Sequence, residues 1–224
     1  MASAFDRLNK LPEVFSLNTL ASFTGGDTSK ASVYINRWKQ MGYIDGLGPR
    51  IGIYFNLLKN PNAKQEHFMA AIQMLFPDAV MSGASVIHAS GWTTQIPQSI
   101  EFNILSRRSI PHVDGAQFHL RTKDWFFVCQ NQILKDGFAK LKPEIALADS
   151  WKSGSWRPDV DDLDFDQINT HKLKKAFVLM GCPYPKQYPG HFYCETSGVN
   201  SNESYTNLKN KSNKDKSIIK NRNS

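Results

Sequence analysis

With 224 residues, 41% hydrophobic and 12% aromatic, the chain has apolar surface for two modest domains, or for one domain and a tail. Three cysteines, an odd number without evident pairing, argue for a reducing compartment, and with Asp6, Arg7 and Glu13 near the start no signal peptide is expected. With no apolar run of membrane-spanning length, the expectation is a cytoplasmic protein with no membrane partner.

Net charge is +7, and it is unevenly spread. Residues 1–60 hold seven Lys/Arg against four Asp/Glu, residues 61–200 hold fourteen of each, and residues 201–224 hold six against two. A basic head, a neutral middle and a basic end point to nucleic-acid contact at the N-terminus and a different task in the middle.

In chain order, Phe5, Leu8, Leu11 and Val14 predict a first helix over 5–14, limited by Pro12. Ser16 can cap a helix over 17–24, and Gly25-Gly26 supplies a turn. The next stretch organises the rest. Ala31, Tyr34, Ile35, Trp38 and Met41 recur at the spacing of one helix face, begun by Asp27 or Thr28 and closed by Gly42. The opposite face carries Ser29, Ser32, Val33, Asn36 and Gln40, flanked by Lys30 and Arg37. The period then changes. Residues 43–47 and 51–57 read as two strands around a Gly48-Pro49-Arg50 tip. Helix, turn, helix and basic hairpin in that order are the pattern of a winged helix-turn-helix. Its partner would be double-stranded DNA. Ser29, Ser32 and Asn36 are placed for base edges, and Lys30, Arg37, Lys39 and Arg50 for phosphates. A polar face that merely meets water is the alternative.

Lys59-Asn60-Pro61-Asn62 is a polar break, giving domains over 1–60 and 61–182 and a Pro/Gly-rich, then basic, segment over 183–224. A helix is expected over 64–75, with Phe68, Ala71, Ile72 and Leu75 on one face, and a buried small-residue helix over 83–90, closed by Gly91. Ile100, Phe102 and Ile104 alternate with Glu101 and Asn103 as a strand with one polar side. Residues 117–121 and 125–128 read as strands, and 143–151 and 164–180 as helices. Residues 201–224 are expected to lack fixed structure, since Ser, Asn and Lys leave little to bury. The fold class expected is α+β: a winged helix-turn-helix followed by a mixed α/β domain.

Behind the winged-helix pattern come Gly83-Ala84-Ser85-Val86-Ile87-His88, then Gly91-Trp92-Thr93-Thr94-Gln95, a strand, and Pro143-Glu144-Ile145-Ala146-Leu147-Ala148-Asp149. This arrangement, over roughly residues 10–180, resembles the AbiEi family of antitoxins from type IV toxin–antitoxin and phage-defence operons. Ile145 stands where that family commonly has Arg. These motifs are apolar, so they speak to fold more than to chemistry. The resemblance implies an autorepressor that binds promoter repeats of its own operon. It also implies a C-terminal domain that counters a nucleotidyltransferase-like toxin without a stable complex. A transcriptional regulator with no antitoxin role is the plainer reading.

No catalytic residue and no cofactor are expected. His88 reads as a structural histidine in its small-residue helix. Cys182, His191 and Cys194 are close in sequence but lack a paired Cys-x-x-Cys and a fourth zinc ligand. Asp159, Asp161, Asp162, Asp164 and Asp166 lack the glycine and terminal glutamate of a calcium loop, and read as a solvated run capping the next helix. A restriction-type nuclease would need carboxylates and a lysine on adjacent strands, for which Glu101, Asp114 and Lys123 are the candidates.

Overall fold

A computed structural model describes residues 4–105 and 109–190. The described residues up to Gln187 form one compact unit. The tail over 201–224, with His191 and Cys194, lies outside the described residues. The described fold is mixed α and β with two sheets.

The chain opens with helix α1 (Ala4–Lys10), strand β1 (Val14–Ser16), helix α2 (Leu17–Phe23) and helix α3 (Thr28–Gln40). Strands β2 (Ile44–Gly46) and β3 (Ile53–Asn56) follow. The helix predicted over 5–14 is therefore shorter, because Pro12 disfavours helical backbone at Leu11, and Val14 opens a strand instead. Strands β1, β3 and β2 form an antiparallel sheet in that order, with Val14 opposite Phe55 and Ile44 opposite Asn56. Leu8, Leu20, Ala31, Ile35, Trp38 and Ile44 make a first core with Leu11 and Phe15. Met41, expected on the buried face of α3, is 61% exposed, since it lies past the last helical turn.

Helices α4 (Ala63–Glu66) and α5 (Phe68–Leu75) replace the single helix expected over 64–75, and His67 is the break. Strand β4 (Val80–Ser82), helix α6 (Gly83–Ala89), and strands β5 (Ile100–Ile104) and β6 (Ala116–Leu120) come next. Then follow helix α7 (Lys123–Cys129), strands β7 (Ile133–Leu134) and β8 (Lys140–Leu141), and helices α8 (Pro143–Ser153) and α9 (Thr170–Met180). The second sheet runs β6-β5-β4-β8-β7, with β5–β6 and β4–β8 parallel and the other pairs antiparallel.

Two more expectations are corrected here. Residues 125–128 are helical, not a strand: Thr122 caps the start by accepting from the Trp125 N–H at 3.2 Å. Cys129 is buried one turn after the half-buried Trp125, while Phe127 between them is 72% exposed, a period of 3.6 rather than 2. The helix expected over 164–180 begins only at Thr170, where the Asn169 side chain accepts from the Lys172 N–H. Both faces of β5 are covered, so Glu101 and Asn103 on its polar side are buried as well.

A second core joins Leu47, Ile53 and Phe55 to Ala63, Ala71, Ile72, Phe76, Phe102, Ile104 and Val113. One continuous apolar cluster thus draws side chains from both sides of the polar break at 59–62. Burying Leu47, Ile53 and Phe55 contributes about 2 kcal/mol each, and together that is of the order of a domain's net stability. A fragment of residues 61–187 should accordingly bind a hydrophobic dye and melt without a sharp transition, whereas the full chain melts cooperatively. A cooperative, dye-free fragment would show that this cluster is dispensable to the second sheet.

Candidate nucleic-acid interface

The local chemistry of α2 and α3 explains their junction. The Ser16 Oγ accepts from the Thr19 N–H at 3.0 Å and caps α2. Gly25 and Gly26 take φ of 75° and 83°, a left-handed turn that a side chain would strain. Asp27 then caps α3, accepting from the Lys30 N–H at 2.9 Å. That hydrogen bond leads the interactions holding the Asp27 carboxyl below its usual range.

With Ala31, Ile35 and Trp38 buried, the opposite stripe of α3 is fixed by helix geometry. Ser29, Val33, Asn36 and Gln40 lie along its centre and are exposed. Lys30 and Arg37 line one flank, and Ser32 and Lys39 the other. The five residues Ser29, Lys30, Asn36, Arg37 and Lys39 are exposed, while Ser32 is half-buried and its hydroxyl donates to the Thr28 carbonyl at 2.9 Å. No acidic residue occurs in α3. Lys30 sits 3.5 Å from Asp27, so part of its charge is already answered. At the core side, Tyr34 stacks on Trp38 with ring centroids 5.4 Å apart, and Arg7 bonds the Tyr34 hydroxyl.

Arg50 is exposed at the hairpin tip, apart in sequence from the other six. It is the one non-glycine residue with positive φ, 59°, among the described residues. The tip is not free-standing. A side chain on Gly48 would come within 2.6 Å of the His112 carbonyl oxygen.

Two of the four acids in residues 1–60 are engaged by groups beyond residue 59. Asp45 pairs with Lys64 at 2.7 Å, and Glu13 meets Asn60 and His67 at 2.9 and 2.5 Å.

The other sequence candidates fall elsewhere. His88 is half-buried on α6. Glu101 lies on β5, where it accepts from the Ala84 N–H at 2.9 Å and from His119 at 3.1 Å. Lys123 opens helix α7 and is not on a strand, and Asp114 is exposed beside His112, so the strand arrangement a nuclease needs is not formed by these three. Asp159 and Asp162 form a reciprocal capping box around a single 3-10 turn. Burial raises the Cys129 thiol to about 12 and also pushes the Cys182 thiol up, and the latter donates to the Ala148 carbonyl at 3.6 Å. No described helix is long and apolar enough to cross a membrane.

Two polar clusters were missed from sequence. In one, the buried Asp149 of α8 accepts from Arg121 at 2.5 Å, Trp125 at 2.9 Å and Asn103 at 3.4 Å, and the Arg121 Nε–H donates to Asn103 at 2.9 Å. A lone carboxylate inside Ile145-Ala146-Leu147-Ala148-Asp149 was its signal. The other joins Glu13, Asn60, Glu66 and His67, and nothing local in sequence announces it.

No family model matches the sequence, and no curated protein matches it. Among solved structures, the fold is similar to the crystal structure of the RV2827C protein from Mycobacterium tuberculosis. The TM-score is 0.50 at 15% identity, over 80% of this chain and 70% of that one. At that identity the likeness is one of fold alone.

Asp149→Ala should lower stability by about 3–5 kcal/mol, because it leaves a largely buried guanidinium unpaired; urea unfolding reads the loss. Acid titration tests the Asp45–Lys64 pair. Burial pushes the Asp45 carboxyl up, but Lys64 and the Gly46 N–H outweigh it and hold it below its ordinary value of 3.8. A depressed acid stabilises the fold above its ordinary value and loses that contribution as pH falls below it. Between about pH 5 and about pH 3, the wild type should therefore lose melting temperature more steeply than Asp45→Asn. The difference should be small, since both side chains are over 40% exposed.

Proposed function

We propose that residues 1–60 act as a winged helix-turn-helix that binds double-stranded DNA with α3 in the major groove. The observation that carries this reading is the exposed face of α3. Ser29 and Asn36 run along its centre, Lys30, Arg37 and Lys39 on its flanks, and no carboxylate in the helix. Short hydrogen-bonding side chains suit base edges, and flanking cations suit the two phosphate walls of a groove. Arg50 at the hairpin tip adds a phosphate contact of the wing type. Taken with the resemblance to AbiEi antitoxins, the reading extends to an autorepressor of its own operon. Its second part would counter a nucleotidyltransferase-like toxin through function rather than a lasting complex.

Binding to the operon's own promoter, measured by fluorescence anisotropy across a salt series, tests the interface. Arg37→Ala should weaken binding to all sequences and reduce the salt slope by about one unit, as for one lost phosphate contact. Asn36→Ala should instead relax the preference for particular base pairs. Wild-type slope and preference in both variants would remove α3 from the interface. Where a nucleotidyltransferase-like gene adjoins this one, co-expression with it tests the second role, and unrescued growth would retire it.

A further inference from the structure

Away from α3, the end of the first sheet meets the break between α4 and α5, and there three metal-ligating side chains converge. One ligand atom each from Glu13, Glu66 and His67 lies within 4.8 Å of the other two. We propose that these three residues form a binding site for a divalent transition-metal ion of the zinc class.

The donor set selects the ion. One imidazole with two carboxylates is a mixed nitrogen–oxygen set that suits zinc and its neighbours, whereas calcium and magnesium prefer oxygen alone. Three protein ligands leave a fourth position for water, as in an open zinc site. The ligands are also held from behind. The Asn60 Nδ2 group donates both to Glu13 at 2.9 Å and to Glu66 at 2.8 Å, drawing the two carboxylates together. Its own oxygen accepts from the Asn62 N–H at 2.9 Å, which fixes the orientation of the amide. Supporting contacts of this kind orient metal ligands and tune their affinity.

The fit needs only small movements. The His67 Nε2 now meets the Glu13 Oε2 at 2.5 Å. Tetrahedral ligands at about 2.1 Å from an ion stand about 3.4 Å apart, so this pair opens by about 1 Å, with Glu66 already within 4.8 Å of both. Glu13 and His67 are each about one-third exposed and Glu66 is exposed, which leaves room for this adjustment. The amino group of Lys59, a neighbouring cation, is directed at the Leu11 carbonyl at 3.5 Å. Glu13 immediately precedes β1, and His67 is 54 residues further along. A bound ion would therefore cross-link the first sheet to the α4–α5 break and stabilise the folded chain by mass action.

The test uses the full chain and zinc chloride, followed by titration calorimetry and by thermal unfolding. One saturable ion per chain and a raised melting temperature are expected. Glu66→Gln and His67→Gln should each weaken that binding at least about tenfold. Absence of a one-to-one event, or wild-type affinity in both variants, would overturn the site, the second by placing the ion elsewhere, for instance at Cys182. Should His67→Gln fail to fold by circular dichroism, Glu66→Gln decides, since its side chain is exposed. Magnesium titrated at the same concentrations should give no comparable binding, and equal binding would contradict the zinc-class assignment.

Discussion

Strand β3 serves two cores at once. Its side chains alternate, as any strand's must, but here each side meets an apolar cluster. Ile53 and Phe55 belong to the core shared with Phe76 and Phe102, while Tyr54 packs against the core of Leu8, Phe15 and Trp38. Its partner β1 repeats the arrangement one rung over, with Val14 on the Phe55 side and Phe15 on the Tyr54 side. At the end of β3, buried Asn56 donates to the Leu8 carbonyl at 2.9 Å and accepts from the Lys59 N–H at 3.2 Å, so even the exit from the strand is pinned. A one-residue slip would move Phe55 into the wrong core and Tyr54 into the other. The register is thereby specified from both faces.

The second sheet has its own constraint of a different kind. Burying Glu101, Asn103 and Asp149 is costly unless each finds partners, and each does. No described buried side-chain nitrogen or oxygen lacks a hydrogen bond. Glu101 also sets the glycine at position 83. Gly83 has φ of 63°, and a side chain there would meet the Glu101 carboxyl at 2.3 Å. The buried ion pair of Arg121 with Asp149 adds little net stability over an apolar pair of like volume. What it supplies is direction: Arg121 donates to both Asp149 and Asn103, and Trp125 donates to the other Asp149 oxygen, which fixes α8 against β5 and α7.

This contrast explains what could be read in the sequence. The helix pair α2–α3, its caps Ser16 and Asp27, and the glycine turn were legible because each depends on neighbours within four residues. The face of α3 was legible because period 3.6 is local. The helical state of 125–128 was not, since Trp125, Phe126, Phe127 and Val128 satisfy strand propensity as well, and only the Thr122 cap and the burial of Cys129 decide it. The short strands β4, β7 and β8 were missed because two or three residues carry no period. The Glu13–His67 and Asp149–Arg121 contacts were invisible because they join positions 54 and 28 residues apart. As for the seven residues singled out for DNA, their exposure could be inferred, except at Ser32, whose hydroxyl turns back to its own helix.

The shared strand has a consequence for the proposed DNA reading. A reading head on a flexible linker would leave its partner free to sample many positions, and half-site spacing would be weakly set. Here α3 packs through Ile35 and Trp38 on one core, whose strand wall is also the wall of the other. The hairpin tip is held too, because Gly48 lies against the His112 carbonyl with no room for a side chain. Arg50 pays for this tight tip with left-handed backbone, roughly 1–2 kcal/mol for a non-glycine residue. In the DNA-bound form proposed above, helix and tip would arrive as one preorganised surface, so little ordering cost would fall on binding. Any change that loosens the second core would then reach DNA affinity without touching a contacting side chain.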